Sequence, residues 1–465
     1  FEKHYAGSLP CMPARHDILC GSLDFLWRPW GSIELWERPL TAYLREAGVT
    51  TMLCSDHPHL FESGGENYHT DFSAWEYERG HENDPWKTRP DPSWAGAPRW
   101  DAQGNLVPSH ALYELSRGYF RGEEEFPGPR TMSAAARWVE TSATHHDRFM
   151  LFVDEFDPHE PFDTPEEYMR LYDADWDGPH LIWPPYAVGA VERGIMTERQ
   201  ARQVRSCYGA KLTMIDHWFG KLMAAIEAQG LLETTAVIVC TDHGHYLGEK
   251  DVWGKPGVPV YETLGHIPLM VRWPGVEAST TQALTTSVDI FSTLCDIFGV
   301  TPEHTTHGRS LVPVITGEAT SVRDWALTGV WGREVHLVDE TTKYARAPEG
   351  ENFPLSMWSN RWSTMPVHHA ILGYRFPVPD GRAVLDHMPG STIPVIRQPF
   401  VRGDAVPYWA MTRFSGNHLY RLDLDPAEDE NRRGEAIEGE MADKLRQALQ
   451  ELEAPDDQFV RLGLA

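Results

Sequence analysis

Cysteine is scarce, with six residues in 465. Cys11, Cys20, Cys54, Cys207, Cys240 and Cys295 form no C-x-x-C pair and no zinc-like spacing with histidine. That excludes a disulfide scaffold and leaves most of them as small buried side chains. Positive charge is deficient too. Lys+Arg 41 against Asp+Glu 68 gives a net charge of −27, a field that repels polyanions and argues against a nucleic-acid partner, although a local basic pocket is compatible with it. No apolar run approaches the ~18 residues that span a bilayer, so a soluble chain without a membrane partner is expected. Asn-x-Ser/Thr acceptors, internal repeats and low-complexity tracts are missing as well, and no signal peptide is recognisable. The chain opens Phe1-Glu2-Lys3-His4-Tyr5 without Met, and is expected to lack its natural N-terminus. Cytoplasm and periplasm both stay open as compartments, as does the oligomeric state.

What is present is ordinary for a globular protein, 41% hydrophobic and 23% charged, which excludes a mainly disordered chain. Eighteen tryptophans and thirty-five prolines concentrate in irregular stretches such as 84–100 and 354–366, read as long loops over a pocket mouth. Helical patterns cover 40–47, 133–144, 197–229 and 441–452, and short apolar strands cover 50–54, 149–156, 236–241 and 269–273. This alternation predicts an α/β fold with a mostly parallel central sheet sandwiched by helices. Residues 1–320 are expected to form that unit. Residues 321–465, where strands alternate with turns before one amphipathic helix, are expected to form a smaller α+β subdomain. The boundary falls near 315–325.

Ligands in such sheets sit beyond the carboxyl ends of the strands. There the sequence places Ser55-Asp56-His57-Pro58-His59, Asp157-Pro158-His159-Glu160-Pro161-Phe162 and Thr241-Asp242-His243-Gly244-His245. Three strand ends thus bring an Asp and a His to one edge. Near the start, Cys11-Met12-Pro13-Ala14-Arg15 sets a potential nucleophile beside a cation; a loop cysteine and a surface arginine give the same pattern. Asp242-His243 offers oxygen and nitrogen to a divalent ion, or is a turn with a capping Asp. His159 suits a general acid or an anion donor, or a structural role between prolines. Lys255, in Asp251-Val252-Trp253-Gly254-Lys255, suits an anion clamp or a solvated surface.

Together these segments resemble the sulfatases of the alkaline-phosphatase superfamily. Cys11–Arg15 is similar to their C-x-P-x-R signature, and Leu19-Cys20-Gly21 to its continuation. The 157–162 segment resembles their histidine loop, and Asp242-His243-Gly244, Leu247-Gly248-Glu249 and Trp253-Gly254-Lys255 their metal-and-lysine block. Ile267-Pro268-Leu269, Trp273-Pro274-Gly275, His307-Gly308-Arg309-Ser310-Leu311, and the stretch from Leu419-Tyr420 through Asp425-Pro426 to Asn431 resemble later landmarks.

The resemblance implies a sulfuric ester hydrolase in which Cys11 is oxidised to formylglycine by a formylglycine-generating enzyme. It implies an attacking hydroxyl from the aldehyde hydrate, and a diol held by Arg15. Lys255 and His159 would lie on the sulfate oxygens. One divalent metal, calcium with manganese or magnesium also compatible, would sit on Asp242 and His243. The substrate class implied is a small-molecule or carbohydrate sulfate ester.

Departures from the family pattern set further expectations. Sulfatases take two more ligands from an Asp pair on a strand before the signature. With that strand expected to be missing from 1–465, metal is expected to bind weakly or not at all. The Lys-Trp-His segment of many sulfatases is replaced by 55–59, making His57 or His59 the expected leaving-group acid. Residues 64–69 and the turn Arg79-Gly80-His81-Glu82 are read as pocket-rim loops for substrate selection. His243, where several sulfatases carry Asn, also occurs in relatives that hydrolyse phosphonate monoesters and phosphodiesters, which is the first alternative. A non-catalytic binder of sulfated glycans is the second.

Overall fold

The computed structural model describes residues 1–101, 103–362, 379–404, 406–407, 410 and 412–465. The expected loop 354–366 therefore lies partly outside the described residues.

The four apolar runs found in the sequence form strands, and further short strands that the sequence reading did not pick out join them. They are β1 (Lys3–Tyr5), β2 (Ser8–Leu9), β3 (Thr50–Ser55), β4 (Ala74–Tyr77), β5 (Phe149–Asp154), β6 (Val237–Cys240), β7 (Leu269–Arg272) and β8 (Leu284–Thr286). Interleaved helices are α1 (Cys11–Cys20), α2 (Leu40–Glu46), α3 (Pro127–Thr141), α4 (Glu198–Ala228) and α5 (Val288–Phe298). β3 pairs in parallel with β4 on one side and β5 on the other, and β1 pairs in parallel with β8. β7 departs from the parallel expectation, running antiparallel to β6 from Leu269↔Cys240 to Arg272↔Val237. Its connection returns through residues 241–268 at the strand end rather than crossing back over a helix, and an antiparallel return follows.

Local chemistry fixes several of these elements. Thr197 caps α4 in a capping box, its hydroxyl accepting from the Gln200 amide while the Gln200 side chain accepts from the Thr197 amide, a reciprocal arrangement that satisfies two orphan donors. All ten residues of α1 are buried. The helix stops at Gly21, whose φ of +76° suits glycine and whose Cα packs so tightly on Phe291 that a Cβ would clash.

The later chain adds β9 (Ala326–Val330), β10 (Val335–Val338), β11 (Thr342–Arg346), β12 (Leu355–Ser359), β13 (Val384–His387), β14 (Pro394–Phe400), β15 (His418–Arg421) and α6 (Ile437–Glu451). The 355–359 segment, read as loop, is a strand because its buried residues pair with 396–400 of β14. β2 joins β9, with Gly329↔Ser8 and Val330↔Leu9, at the edge of the β9-β10-β11-β15 meander. One apolar core unites Leu23, Phe25, Leu26 and Trp27 with Leu337, Tyr344, Trp358 and Leu445. The strand that leads into α1 and the segment that leaves it are thus both anchored on the later chain. No helix among the described residues is long and apolar enough to cross a membrane.

The register of β3 on β5 matters most for function. Ser55 sits opposite Asp154, so segments 55–59 and 154–159 leave the sheet side by side. Ser55 Oγ donates to the Asp154 carbonyl at 2.8 Å, and the Phe156 amide donates to Asp56 Oδ1 at 2.8 Å.

Candidate active site

Arg15 organises the site. Lying one helical turn after Cys11, it donates from Nη1 to the Cys11 carbonyl at 3.0 Å and to Asp242 Oδ2 at 2.7 Å. Its Nε and Nη2 grip Asp154 at 2.8 and 2.7 Å, the bidentate fork that guanidinium geometry favours. The start of α1 is thereby tied to the ends of β5 and β6. Burial disfavours both carboxylate charges, yet Arg15 holds Asp154 well below the ordinary range, and His243 with Arg15 does the same for Asp242.

Cys11 Sγ lies 3.4 Å from His243 Nε2. Burial pushes the thiol up to about 12 despite the opposing charges of Lys255 and Arg15. A buried thiol of this kind is a poor nucleophile at neutral pH.

Lys255 Nζ lies 2.8 Å from His159 Nε2. The His159 Nδ1 lies 2.9 Å from the Glu160 carbonyl, which can only accept, so Nδ1 carries the proton. Burial pushes His159 down to about 4, Lys255 adding to the effect. The neutral ring therefore accepts from Lys255 rather than donating to an anion. The resemblance implies a place on the sulfate oxygens for both His159 and Lys255, and the two side chains do lie against each other.

The two candidate acids of the 55–59 segment separate clearly. His57 is fully buried, with its ring centroid 4.0 Å from that of Phe156. Burial and Arg15 push it well below its ordinary value. His59 is bound at Nδ1 by Glu62 and faces Glu82 Oε2 with Nε2 at 3.4 Å. Burial works against its charge, but the two carboxylates raise it to about 9. The turn 79–82, read as a rim loop, is folded inward instead. His81 is buried against Asp157 at 2.6 Å, and the Glu82 side chain is 14% exposed. Lys211, also buried, reaches Asp157 at 2.8 Å.

A metal would find part of a shell here. Cys11 Sγ, an Asp242 oxygen and His243 Nε2 lie within 4.8 Å of one another. His243 Nδ1 lies 2.8 Å from the Gly244 carbonyl, which places the proton there and leaves the Nε2 lone pair facing the site. Gly244 is required by close approach, since a Cβ would fall 1.8 Å from the Thr263 carbonyl oxygen. An ionised carboxylate and a lone-pair imidazole fit a divalent cation.

The structure thus gathers Cys11, Arg15, Asp242, His243, Lys255 and His159, with His59 on the flank and His57 beneath. Reading the sequence missed Asp154, Glu62 and the burial of Glu82. Asp154 carried a usable signal, an acid closing an apolar strand at the edge where ligands bind. Glu82 carried none.

A family model described as Sulfatase matches residues 1–300. Among curated proteins, the choline-sulfatase of Rhizobium meliloti is 26% identical over 357 residues, covering 68% of this chain and 64% of that protein. Human iduronate 2-sulfatase is 24% identical over 314 residues, covering 61% and 54%. The chain thus spans less than two thirds of the length of these relatives. Among solved structures, a protein in complex with its substrate D-glucosamine-2-N, 6-O-disulfate aligns with a TM-score of 0.63 at 15% identity, covering 98% of this chain and 91% of that one. The phosphonate monoester hydrolase of Agrobacterium radiobacter aligns with a TM-score of 0.62 at 18% identity, covering 97% and 88%. Both likenesses concern the fold, which is alkaline-phosphatase-like.

Proposed function

The chain belongs to the sulfatase family, and from that premise we propose that it hydrolyses a sulfate monoester of a small alcohol or sugar, with residue 11 matured to formylglycine. The observation that carries this reading is the gathering around Cys11 of Arg15, which donates to its carbonyl, and His243, whose Nε2 lies 3.4 Å from its Sγ. A cysteine enzyme would need that thiol ionised, whereas burial pushes it up to about 12, which favours a role for residue 11 other than as a thiolate. Residue 11 in its formylglycine form would supply the attacking hydroxyl, and Asp242 and His243 would hold a divalent cation that would supply Lewis acidity toward the sulfate.

The remaining chemistry belongs to this chain's own side chains. Arg15 fixes the start of α1 against Asp154 and Asp242, so the nucleophile's position is set before substrate arrives. Lys255, aimed by His159, meets the negative charge of the sulfate oxygens. His59 rather than His57 delivers the proton to the departing oxygen, because it is the one held charged at neutral pH. We assign these roles to residues 1–320, with 321–465 as the packing subdomain, and maturation to a formylglycine-generating enzyme. The metal we assign to the group calcium, manganese or magnesium. A phosphonate monoester or phosphodiester hydrolase is the rival reading, favoured by the imidazole of His243 in the ligand pair.

The test is co-expression with a formylglycine-generating enzyme, mass spectrometry of the residue-11 peptide, and rates on aryl sulfate and aryl phosphonate esters of equal leaving-group pKa. An aldehyde with faster sulfate turnover is expected. Faster phosphonate turnover would replace this reading with the rival, and a persistent thiol that retains sulfated ligand without turnover would replace it with the binder.

A further inference from the structure

His59 is flanked by two carboxylates to which the steps above give no role. The short 3-10 turn Pro58–Phe61 follows β3 and sets His59 and Glu62 three residues apart, so that the Glu62 carboxylate meets His59 Nδ1. From a separate loop, Glu82 places Oε2 at 3.4 Å from Nε2 on the other side of the ring. The edge of Trp30 closes the ring from one direction with centroids 4.8 Å apart, and His57 from another at 5.2 Å.

Glu82 is costly to hold there. Its φ of +44° lies in the left-handed region that non-glycine residues avoid. The loop is clamped from outside, with Asp84 accepting from the Gly80 amide at 2.6 Å and from Arg79. Strain of this kind persists only where surrounding contacts enforce it, and it clusters at working sites. Glu82 Oε2 is also buried, and His59 Nε2 is the cation it meets there. The charge of Glu82 is felt by His159, Lys255 and Cys11 as well as by His59.

Resting on the sulfatase reading, we infer that Glu62 and Glu82 are positioning residues that act through His59. Glu62 fixes the ring with Nδ1–H toward itself, and Glu82 holds the Nε2 proton at the edge of the site for delivery to the departing alkoxide. When the bond from sulfur to the alcohol oxygen breaks, its electron pair stays on that oxygen, which takes the Nε2 proton. His59 is left neutral and regains a proton from water before the next turnover. The charged groups facing His59 are these two carboxylates. The other titratable neighbour is His57, which is driven the opposite way, well below its ordinary value by burial and Arg15. Burial opposes charge on Glu82 as well, yet its pairing with His59 lowers it to about 2.

Two arms test this on the full chain. In the first, the His59 ring is titrated by NMR in the unmatured protein, and in the Glu82→Gln, Glu62→Gln and Glu82→Asp variants. A midpoint near 9 is expected, falling by ~1–2 units in either Gln variant and recovering in part in the Asp variant. A native midpoint at the ordinary value overturns the inference whatever the enzyme hydrolyses. In the second arm, matured enzyme is assayed on sulfate esters of graded leaving-group pKa. His59→Gln should slow alkyl sulfates by ~10²–10⁴-fold while slowing nitrophenyl sulfate by less than ~10-fold, with the Glu variants following the same gradient more weakly. An equal loss across the series sinks the acid role and leaves sulfate hydrolysis standing. No turnover of any ester by matured native enzyme sinks the sulfatase reading, and with it the proton delivery built on it.

Discussion

Two buried arginines, Arg15 within α1 and Arg28 in the segment that follows it, are each ringed by carboxylates. Arg28 donates to Asp24 at 2.8 Å, to the Ser32 carbonyl at 2.7 Å, and to Glu34 and Glu37 at 3.2 and 3.3 Å. The acceptors around it are spent elsewhere as well. Glu37 takes His16 Nε2 at 2.7 Å and the Glu34 amide at 2.8 Å, while Glu34 takes Ser359 Oγ and the Asn360 amide. That closed network ties the turn after α1 to β12. Arg15 is equally buried and equally paired, but its partners differ in kind: it ties Asp242 beside His243, whose Nε2 lies 3.4 Å from Cys11 Sγ, and Lys255, bonded to His159, is close enough to feel the charge of Asp242. Burial of charge is common to both. What marks the site is a potential nucleophile, a potential ligand pair and a lysine gathered around one arginine. By that measure His16, Cys20 and Glu37, close enough together to resemble a metal cluster, belong to the scaffold.

The comparison breaks first at Cys11. In matured enzyme, Cys11→Ala should reduce turnover by ~10⁴-fold or more, while the urea unfolding free energy stays within about 1 kcal/mol of the native value. Retained turnover on aryl sulfate would remove residue 11 from the chemistry. Arg28→Met should do the reverse. It leaves Asp24, Glu34 and Glu37 buried without their cation, a loss of about 3–5 kcal/mol in unfolding free energy, with turnover per folded molecule unchanged. A variant that kept its stability but lost turnover would make the closed network part of the site.

Much of this was legible beforehand because the signals were local. Strands at 50–55, 149–154 and 237–240 are apolar runs ending in acids and imidazoles, and the spacing of Cys11 and Arg15 is one helical turn. The parts that were not legible depend on distant chain. The antiparallel course of 269–272 and the strand at 355–359 are set by partners, not by their own residues. Asp154 reads as an ordinary strand terminus until Arg15 arrives from 139 residues away. Glu82 sits in a polar turn whose composition suggests solvent; only the folding of 79–84 about Asp84 buries it. His57 and His59 look interchangeable in sequence, and a two-residue step puts one under Arg15 and the other between two carboxylates.

The smallest expected effect sharpens the contrast through pH. Burial disfavours charge on His16, but Asp24 and Glu37 raise it well above 6.5. A group raised on folding contributes stability that is fully present below its unfolded value, and that contribution is lost as pH rises through the folded one. The urea midpoint should therefore decline on the alkaline side, and His16→Gln should flatten that decline while leaving the kinetic pH profile where it was. His59 is raised for the same physical reason, to about 9, yet its loss should appear mainly in the alkaline limb of turnover on alkyl sulfates. If His16→Gln moved that kinetic limb, or left the alkaline slope of the midpoint untouched, the separation between a network that holds the helix and one that serves the reaction would fail.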